Sequence, residues 1–400
     1  MATYKILSLD GGGVWALVQV KALMAIYGGE TVTGHQVLSN FDMAAANSGG
    51  SIVLGGLVAN KTLGEILALF MDEKNRRSIF QPTKSVLDTL IRWALKTGPK
   101  YDTAAKLVAF NTLLGPTGAL TLPQAAAPIP AKGSGKPVHL LIMGFDFDRQ
   151  LAAFFRSAEA SRPGWGAGSA TTACTLAEAI HASSTPPVAY FDAPTAFGKN
   201  RYWDGAIAAY NNPVNAAVAE ALVMGAAPAD IRALTIGTGT KRLHGPPVDN
   251  APPLQMSREK TSLTHDLGEL SGALTDDPPD VASFMAHVLS GGPPKTPAGV
   301  QSRIVRMSPM ISPDRTNGVD PPDWRIPTGF TTDSFTHLTN LALDALDQPD
   351  VDLIASYGDL WIQDGALNHP VRMNADSLKA EIGRDRFSAA RADWNALTGD

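Results

Sequence analysis

The sequence is poor in cysteine, with Cys174 as the one thiol in 400 residues. A single cysteine excludes an internal disulfide framework and a cysteine-rich zinc site. Long apolar runs are also missing, because no stretch reaches the roughly 20 apolar residues that a membrane-spanning helix needs. The N-terminus lacks the charged, apolar and small-residue regions of a signal peptide. We therefore expect a cytoplasmic protein, while secretion by a route without an N-terminal signal would leave the same sequence.

An excess of charge of one sign is absent as well. The formal net charge is -5, with 18% charged and 44% hydrophobic residues. This composition is typical of a globular protein and gives no global attraction to nucleic acid or to anionic lipid. We expect no nucleic-acid partner, and contact with a membrane or micelle surface would be local and transient. The oligomeric state is left open.

The first half of the chain contains two strand-turn-helix units. In each unit a short apolar run is followed by a glycine-rich turn and by a run with helical periodicity. The predicted strands are 4–9, 41–47, 138–144, 150–156 and 231–237, and the predicted helices are 14–27, 51–58, 176–183 and 214–224. This alternation favours a three-layer α/β/α fold with a mostly parallel central sheet.

We expect a single domain over residues 1–400, with the α/β alternation confined to about 4–240 and a loop-rich, helical C-terminal portion over 241–400. Residues 76–135 form a candidate lid or insertion. Within them, the run 76–110 has apolar residues at helical spacing and several lysines, Lys106 among them. Two interpretations stay open: an interfacial helix that meets lipid, and an ordinary helix that faces the core. The stretch 120–135 is interpreted as a surface loop.

A serine lies at the turn of the second unit, in the sequence Ala46-Asn47-Ser48-Gly49-Gly50. A sharp turn between strand and helix is the context of a nucleophile elbow, and the helix N-terminus after it favours developing negative charge. The pattern Gly-x-Ser-x-Gly has alanine here at its first glycine. The alternative is a polar turn in which the serine caps the helix.

The turn of the first unit is Asp10-Gly11-Gly12-Gly13. Its glycines could expose backbone N–H groups to an oxyanion. They could also belong to a dinucleotide fingerprint in which Ala16 completes the pattern and Glu30 is the acidic residue. A phosphate-binding Walker loop is excluded, because no Gly-Lys-Ser/Thr follows. A tight turn without a ligand is the third interpretation.

Taken in order, these segments resemble the patatin-like phospholipases. The family pattern has Asp-Gly-Gly-Gly after the first strand, then the serine elbow, then an Asp-Gly-Gly or Asp-Gly-Ala segment, which here is Asp204-Gly205-Ala206. Three further segments, 179–187, 211–213 and 234–239, are similar to the family in the same order. The resemblance covers about residues 4 to 240.

The resemblance implies a lipid acyl-hydrolase or esterase of the phospholipase A or lysophospholipase type, acting on a lipid or another acyl ester. Ser48 would be the nucleophile and Asp204 its base, with no histidine between them and no cofactor or metal. The oxyanion hole would be formed by four glycines: Gly11, Gly12, Gly13 and Gly49. His181 would be structural.

One departure from the family concerns the head group. Many members carry a basic residue and then glycine after the glycine loop, whereas this chain has Trp15 and Ala16. The departure weakens the case for a phospholipid substrate more than that for ester hydrolysis. Two other functions remain open: a non-catalytic or regulated binding protein on the same scaffold, and a nucleotide-binding oxidoreductase.

Two groups of carboxylates are candidate calcium sites. Asp146 and Asp148 lie at the end of a predicted strand, and three aspartates at 276, 277 and 280 form an acidic loop. Neither group has the ordered spacing of a calcium loop. We interpret them as solvated carboxylates. The segment Asn211-Asn212-Pro213 is interpreted as a helix start with asparagine as cap.

Overall fold

A computed structural model describes residues 3–82, 100–158, 173–187, 190–241, 278–293, 302–311, 314–315, 324–373 and 380–399. The strands are β1 Tyr4–Leu9, β2 Met43–Ala46, β3 His139–Asp146, β4 Leu151–Arg156, β5 Thr195–Phe197, β6 Asn200–Asp204, β7 Ile231–Ile236, β8 Thr240–Lys241, β9 Ile304–Met307, β10 Met310–Ile311, β11 Asp314–Arg315, β12 Trp324–Arg325, β13 Val371–Met373 and β14 Ala380–Ile382. The helices are α1 Leu17–Tyr27, α2 Gly34–Leu38, α3 Ser48–Val58, α4 Leu63–Met71, α5 Glu73–Ile79, α6 Thr103–Leu114, α7 Leu122–Ala126, α8 Leu176–Ser183, α9 Val214–Val223, α10 Pro278–Leu289, α11 Thr332–Asn340, α12 Gln348–Ile362 and α13 Phe387–Thr398.

The described strands form a central eight-stranded sheet in the order β5-β6-β3-β2-β1-β7-β9, with β4 also paired to β3. Strand β1 runs parallel to β2 and β7, and the pairs β2-β3 and β7-β9 are parallel too. Antiparallel pairing is confined to the β3-β4, β3-β6 and β5-β6 pairs. The expected mixed α/β fold with a mostly parallel sheet is confirmed.

Alternate residues of β1 enter two different hydrophobic clusters. Leu7 and Leu9 join the cluster built with α1, α3 and α4. Ile6 joins the cluster that contains residues of α9 and α10. Because successive side chains of a strand point to opposite faces, helices cover both faces of the sheet. This is the three-layer arrangement expected from the alternating pattern.

Strands β2 and β6 share one edge of β3. Residues 141 and 142 of β3 pair with both β2 and β4, and residues 144 to 146 pair with both β4 and β6. A strand edge accepts one neighbour at a time, so β4 takes one edge, while β2 and β6 follow each other along the opposite edge. Ala46 lies opposite Ile142 and Asp204 opposite Gly144. This register brings the end of β6 to the carboxyl end of β2.

The parts of the expected lid that the structure describes, 76–82 and 100–135, pack into the protein. Arg76 is buried and donates to the carbonyl oxygens of Phe70 and Leu346. Lys106, one of the lysines of the run 76–110, is fully buried on α6. The stretch 120–135 contains α7, started by a capping box of Thr121 and Gln124, rather than loop alone. The apolar residues of the predicted interfacial helix, 86–95, lie outside the described residues.

The C-terminal portion contributes to the same sheet. Strand β9 pairs with β7, and α12 packs against α1. Side chains of α12 and α13, including Trp361 and Trp394, join the cluster that also holds Leu7 and Leu9. Within the described ranges, no helix has both the length and the apolar character to cross a bilayer.

Candidate active site

Ser48 lies at the first position of α3, directly after β2 and Asn47. Its φ of 48° is in the left-handed region, which non-glycine residues rarely adopt. Small neighbours make this turn possible. A Cβ on Gly49 would lie 2.5 Å from the Gly13 carbonyl oxygen, and one on Gly50 would lie 2.5 Å from the Leu9 carbonyl oxygen. The serine elbow is therefore pressed against the glycine loop and the end of β1.

Asp204, the last residue of β6, is buried beside this elbow with 2% exposure. Its Oδ1 accepts hydrogen bonds from Asn47 Nδ2 at 3.0 Å and from the Ala206 N–H at 2.9 Å. Burial raises the pKa of Asp204, whereas the bond from Ala206, the side chains of Ser48 and Asn47, and the charge of Lys106 lower it. The carboxylate is thus held next to the serine in a buried site that penalises its charge.

Asn47 joins the nucleophile and the acid in one hydrogen-bonded network. Its Oδ1 accepts from Ser183 Oγ at 3.3 Å, and Ser183 Oγ in turn accepts from the Ser48 N–H at 3.0 Å. A Cβ on Gly205 would lie 2.5 Å from Asn47 Oδ1, so the glycine after Asp204 leaves room for the amide. Sequence reasoning gave neither Asn47 nor Ser183 a role, although both lie inside the quoted motifs.

The glycine loop lies directly against Ser48. A Cβ on Gly11 would be 2.9 Å from the Ser48 Cβ, and Gly13 has a φ of 56°. The Gly11 N–H donates to the Asn211 carbonyl oxygen at 2.8 Å, so this expected oxyanion donor is already engaged. In the part of the chain that the structure describes, no acceptor is paired with the N–H groups of Gly12, Gly13 or Gly49.

Asp10, just before the loop, forms a buried ion pair. Arg306 Nη2 on β9 lies 2.6 Å from Asp10 Oδ2, and both side chains are almost fully enclosed. Burial raises the pKa of Asp10 to about 6, with Arg306 acting in the opposite direction. Sequence reasoning missed Arg306, which lies about 300 residues from its partner and outside every motif.

The dinucleotide interpretation needs an acidic residue at the end of the second strand. Glu30 lies in the exposed turn after α1, whereas β2 ends at Ala46. Glu30 is therefore at the wrong place in the fold to hold a ribose. The buried ion pair of Asp10 also places a carboxylate at the start of the loop where a pyrophosphate would have to bind.

The other candidate residues are a buried histidine and carboxylates that have structural partners. Asp146 and Asp280 are buried, which corrects their interpretation as solvated carboxylates. His181 is buried on α8, and burial lowers the pKa of its ring to about 3, so it is neutral at pH 7. Asp146 accepts from the N–H groups of residues 148 and 149, and Asp148 pairs with Arg201 at 2.6 Å. Asp280 contacts His369 at 2.6 Å, while residues 276 and 277 lie outside the described ranges. Among the described residues, no group of three or more such side chains is arranged to hold a metal ion.

The helix start at Asn211-Asn212-Pro213 differs in detail from the expectation. Pro213 is the residue that caps α9, and Asn212 Oδ1 accepts from the Val214 N–H at 3.0 Å. Asn212 Nδ2 also donates to Ser283 Oγ at 3.0 Å, which ties α10 to this turn. The backbone of Asn211 contacts the glycine loop, as described above, so the segment supports the site as well as the helix.

The chain has recognisable similarity to known proteins. An intracellular phospholipase A2 of Caenorhabditis elegans is 32% identical over 104 residues, which is 25% of this chain and 9% of that protein's length. The crystal structure of VipD from Legionella pneumophila aligns with 90% of this chain and 67% of its own chain, at 9% identity and a TM-score of 0.36. The family model described as patatin-like phospholipase matches residues 7–218, more than half of the chain. The chain belongs to the patatin-like phospholipase family.

Proposed function

We propose that this protein is a serine-dependent carboxylic ester hydrolase of the lipid acyl-hydrolase type. The observation that supports this most directly is the meeting of three motifs far apart in sequence. Ser48 lies in a strained turn, Asp204 is buried beside it, and the glycine loop contacts the serine. A nucleophile, a base and a set of backbone donors at one place are the parts that acyl transfer requires.

The chemistry follows from this arrangement. The hydrogen bonds from Asn47 and Ala206 reach Oδ1, so we assign Oδ2 as the oxygen that takes the Ser48 proton. The serine Oγ attacks the ester carbonyl, and Asp204 passes the serine proton to the alcohol as the ester C–O bond breaks and an acyl-enzyme forms. Asp204 then takes a proton from water as the water oxygen attacks the acyl carbonyl, and it returns this proton to Ser48 Oγ as the acid leaves.

The charge on the tetrahedral intermediates would be stabilised by backbone N–H groups. We assign Gly12, Gly13 and Gly49 to this role and leave out Gly11, whose N–H is engaged by Asn211. The N-terminus of α3 carries the partial positive charge of its helix dipole, and Ser48 begins that helix. Loss of one oxyanion donor typically costs about 10²- to 10³-fold in kcat.

The substrate class that we propose is a lipid or another acyl ester, without commitment to a phospholipid head group. The position at which many members carry a cation is occupied by Trp15, which is buried with 4% exposure. Arg306 is the nearby cation that the structure describes at the loop, and its charge is matched by Asp10. We therefore expect neutral acyl esters to be accepted at least as readily as charged phospholipids.

The test is hydrolysis of a short-chain chromogenic ester together with labelling by a fluorophosphonate probe. We expect Ser48→Ala to lose both turnover and labelling, and Asp204→Asn to lose turnover. The control is Ser134→Ala, which changes an exposed serine on a surface loop and should retain both signals. Normal turnover in Ser48→Ala would contradict the proposal.

A non-catalytic binding protein on the same scaffold is the other candidate function. It predicts a wild-type protein that neither turns over nor labels although its folding is normal. The strained φ at Ser48 favours the enzyme, because such strain is typically retained where a side chain must be presented for chemistry.

A further inference from the structure

A buried lysine lies behind the dyad. Lys106, on α6, has no exposed surface. Its Nζ donates to the Ser184 carbonyl oxygen and, at 3.2 Å, to Thr185 Oγ1. These two residues directly follow α8, the helix whose last residue, Ser183, accepts from the Ser48 N–H. The lysine is therefore attached to the segment that supports the elbow.

The same segment is bonded to the acid. The Asp204 N–H donates to the Thr185 carbonyl oxygen at 3.0 Å. One residue, Thr185, thus accepts from Lys106 through its side chain and from Asp204 through its backbone. Lys106 acts electrostatically on Asp204, and each charge favours the charged form of the other.

The surroundings of Lys106 leave few other charges to act on it. Its Nζ lies 4.2 Å from the centroid of the Phe191 ring and 5.6 Å from that of Phe110. His181 is the titratable group on α8 that it faces, and that ring is neutral at pH 7 because its pKa is about 3. Burial lowers the pKa of Lys106 itself, whereas Asp204 is the carboxylate that opposes this shift.

We propose that Lys106 is a positioning residue of the dyad, whose ammonium group keeps the buried Asp204 carboxylate ionised and so able to accept the Ser48 proton. This inference rests on the proposed function. Lys106 does not touch the substrate and acts through Asp204. Burial raises the pKa of Asp204, and the charge of Lys106 acts in the opposite direction.

The test is the pH dependence of kcat/KM for ester hydrolysis. Lys106→Gln removes the charge and keeps a hydrogen-bond donor for the Ser184 carbonyl oxygen. We expect the acid limb of its pH profile, where Asp204 loses activity by protonation, to move to higher pH, because the charge of Lys106 lowers the pKa of Asp204. Lys106→Arg keeps the charge and should retain the wild-type limb. The control Lys100→Gln changes a half-exposed lysine that pairs with Asp344 and should leave the limb unchanged.

A lowering of kcat in Lys106→Gln at every pH, with the acid limb in its wild-type position, would overturn the proposal and leave a purely structural lysine. Thermal unfolding of each variant checks that the fold is retained. If Lys106→Gln does not fold, Lys106→Met provides the same comparison without the charge. Failure of the dyad itself would be recognised separately, because Ser48→Ala and Asp204→Asn would then remain active.

Discussion

Asn47 Nδ2 donates to Asp204 Oδ1 at 3.0 Å, although the two residues are 157 positions apart in the chain. The residue before the proposed nucleophile therefore orients the proposed base. The bond engages one of the two carboxylate oxygens of Asp204. Asn47 is fully buried, so this contact is made without competition from water.

We expect Asn47→Ala to lower kcat by about 10- to 100-fold, since a hydrogen bond to a charged group is worth about 1.5–3 kcal/mol. Asn47→Asp should be at least as damaging, because it places a second carboxylate against Asp204. Steady-state kinetics with a chromogenic ester would measure both effects. Wild-type kcat in Asn47→Ala would show that the bond has no part in orienting the acid.

The buried ion pair between Arg306 and Asp10 predicts a stability effect. Arg306→Met leaves an unpaired carboxylate inside the protein and should lower the free energy of unfolding by about 3–5 kcal/mol. Adding Asp10→Asn removes that charge and should restore part of the loss. Urea denaturation of the single and double variants measures this difference. If Arg306→Met were as stable as the wild type, the ion pair at the start of the glycine loop would contribute nothing to the free energy of unfolding.

His181 predicts a pH effect on stability. The pKa of its ring is about 3 in the folded protein and about 6.5 in an unfolded chain. The unfolded chain therefore binds the proton first, and stability is lost as the pH falls from about 6.5 toward 3. Asp10, with its raised pKa of about 6, contributes in the opposite direction.

The difference in unfolding free energy between wild type and His181→Gln isolates the contribution of the histidine to the pH dependence of stability. We expect the unfolding free energy of the variant to fall less steeply with acid, as measured by urea denaturation at several pH values. Its ester turnover at pH 8 should stay within about tenfold of wild type, because the proposed general base is Asp204. Loss of a general base typically lowers the rate by about 10²- to 10⁴-fold. A larger loss of turnover would point to a histidine-dependent mechanism.

The sequence predicted the elements whose signal is local. Strand β1 and helix α8 have the predicted bounds, because apolar periodicity and a capping box of Thr175 and Glu178 mark them within a few residues. The serine elbow lies at its predicted turn for the same reason. Strand β6 was missed although it ends at Asp204. It is five residues long and lies between tight turns, too short for its pattern to be distinguished from a loop.

The residues that sequence reasoning missed depend on partners far along the chain. Lys106 looks like a surface lysine on an amphipathic helix, and its burial is explained by its bonds to Ser184 and Thr185 and by the aromatic rings of Phe191 and Phe110. Arg306 likewise gains its role from Asp10, which directly follows β1, a strand two places away in the sheet. Contacts of this kind leave no pattern in a window of neighbouring residues.

The shared edge of β3 has a consequence for how this protein can change in length. Ile142 lies opposite the last residue of β2 and Gly144 opposite Asp204, so two residues of β3, about 7 Å, separate the acid from the end of the strand that leads to the nucleophile. Adding or deleting two residues there would shift the acid by more than twice the length of a hydrogen bond. Chain-length variation among working relatives should therefore fall in the connections and spare Ile142 to Gly144.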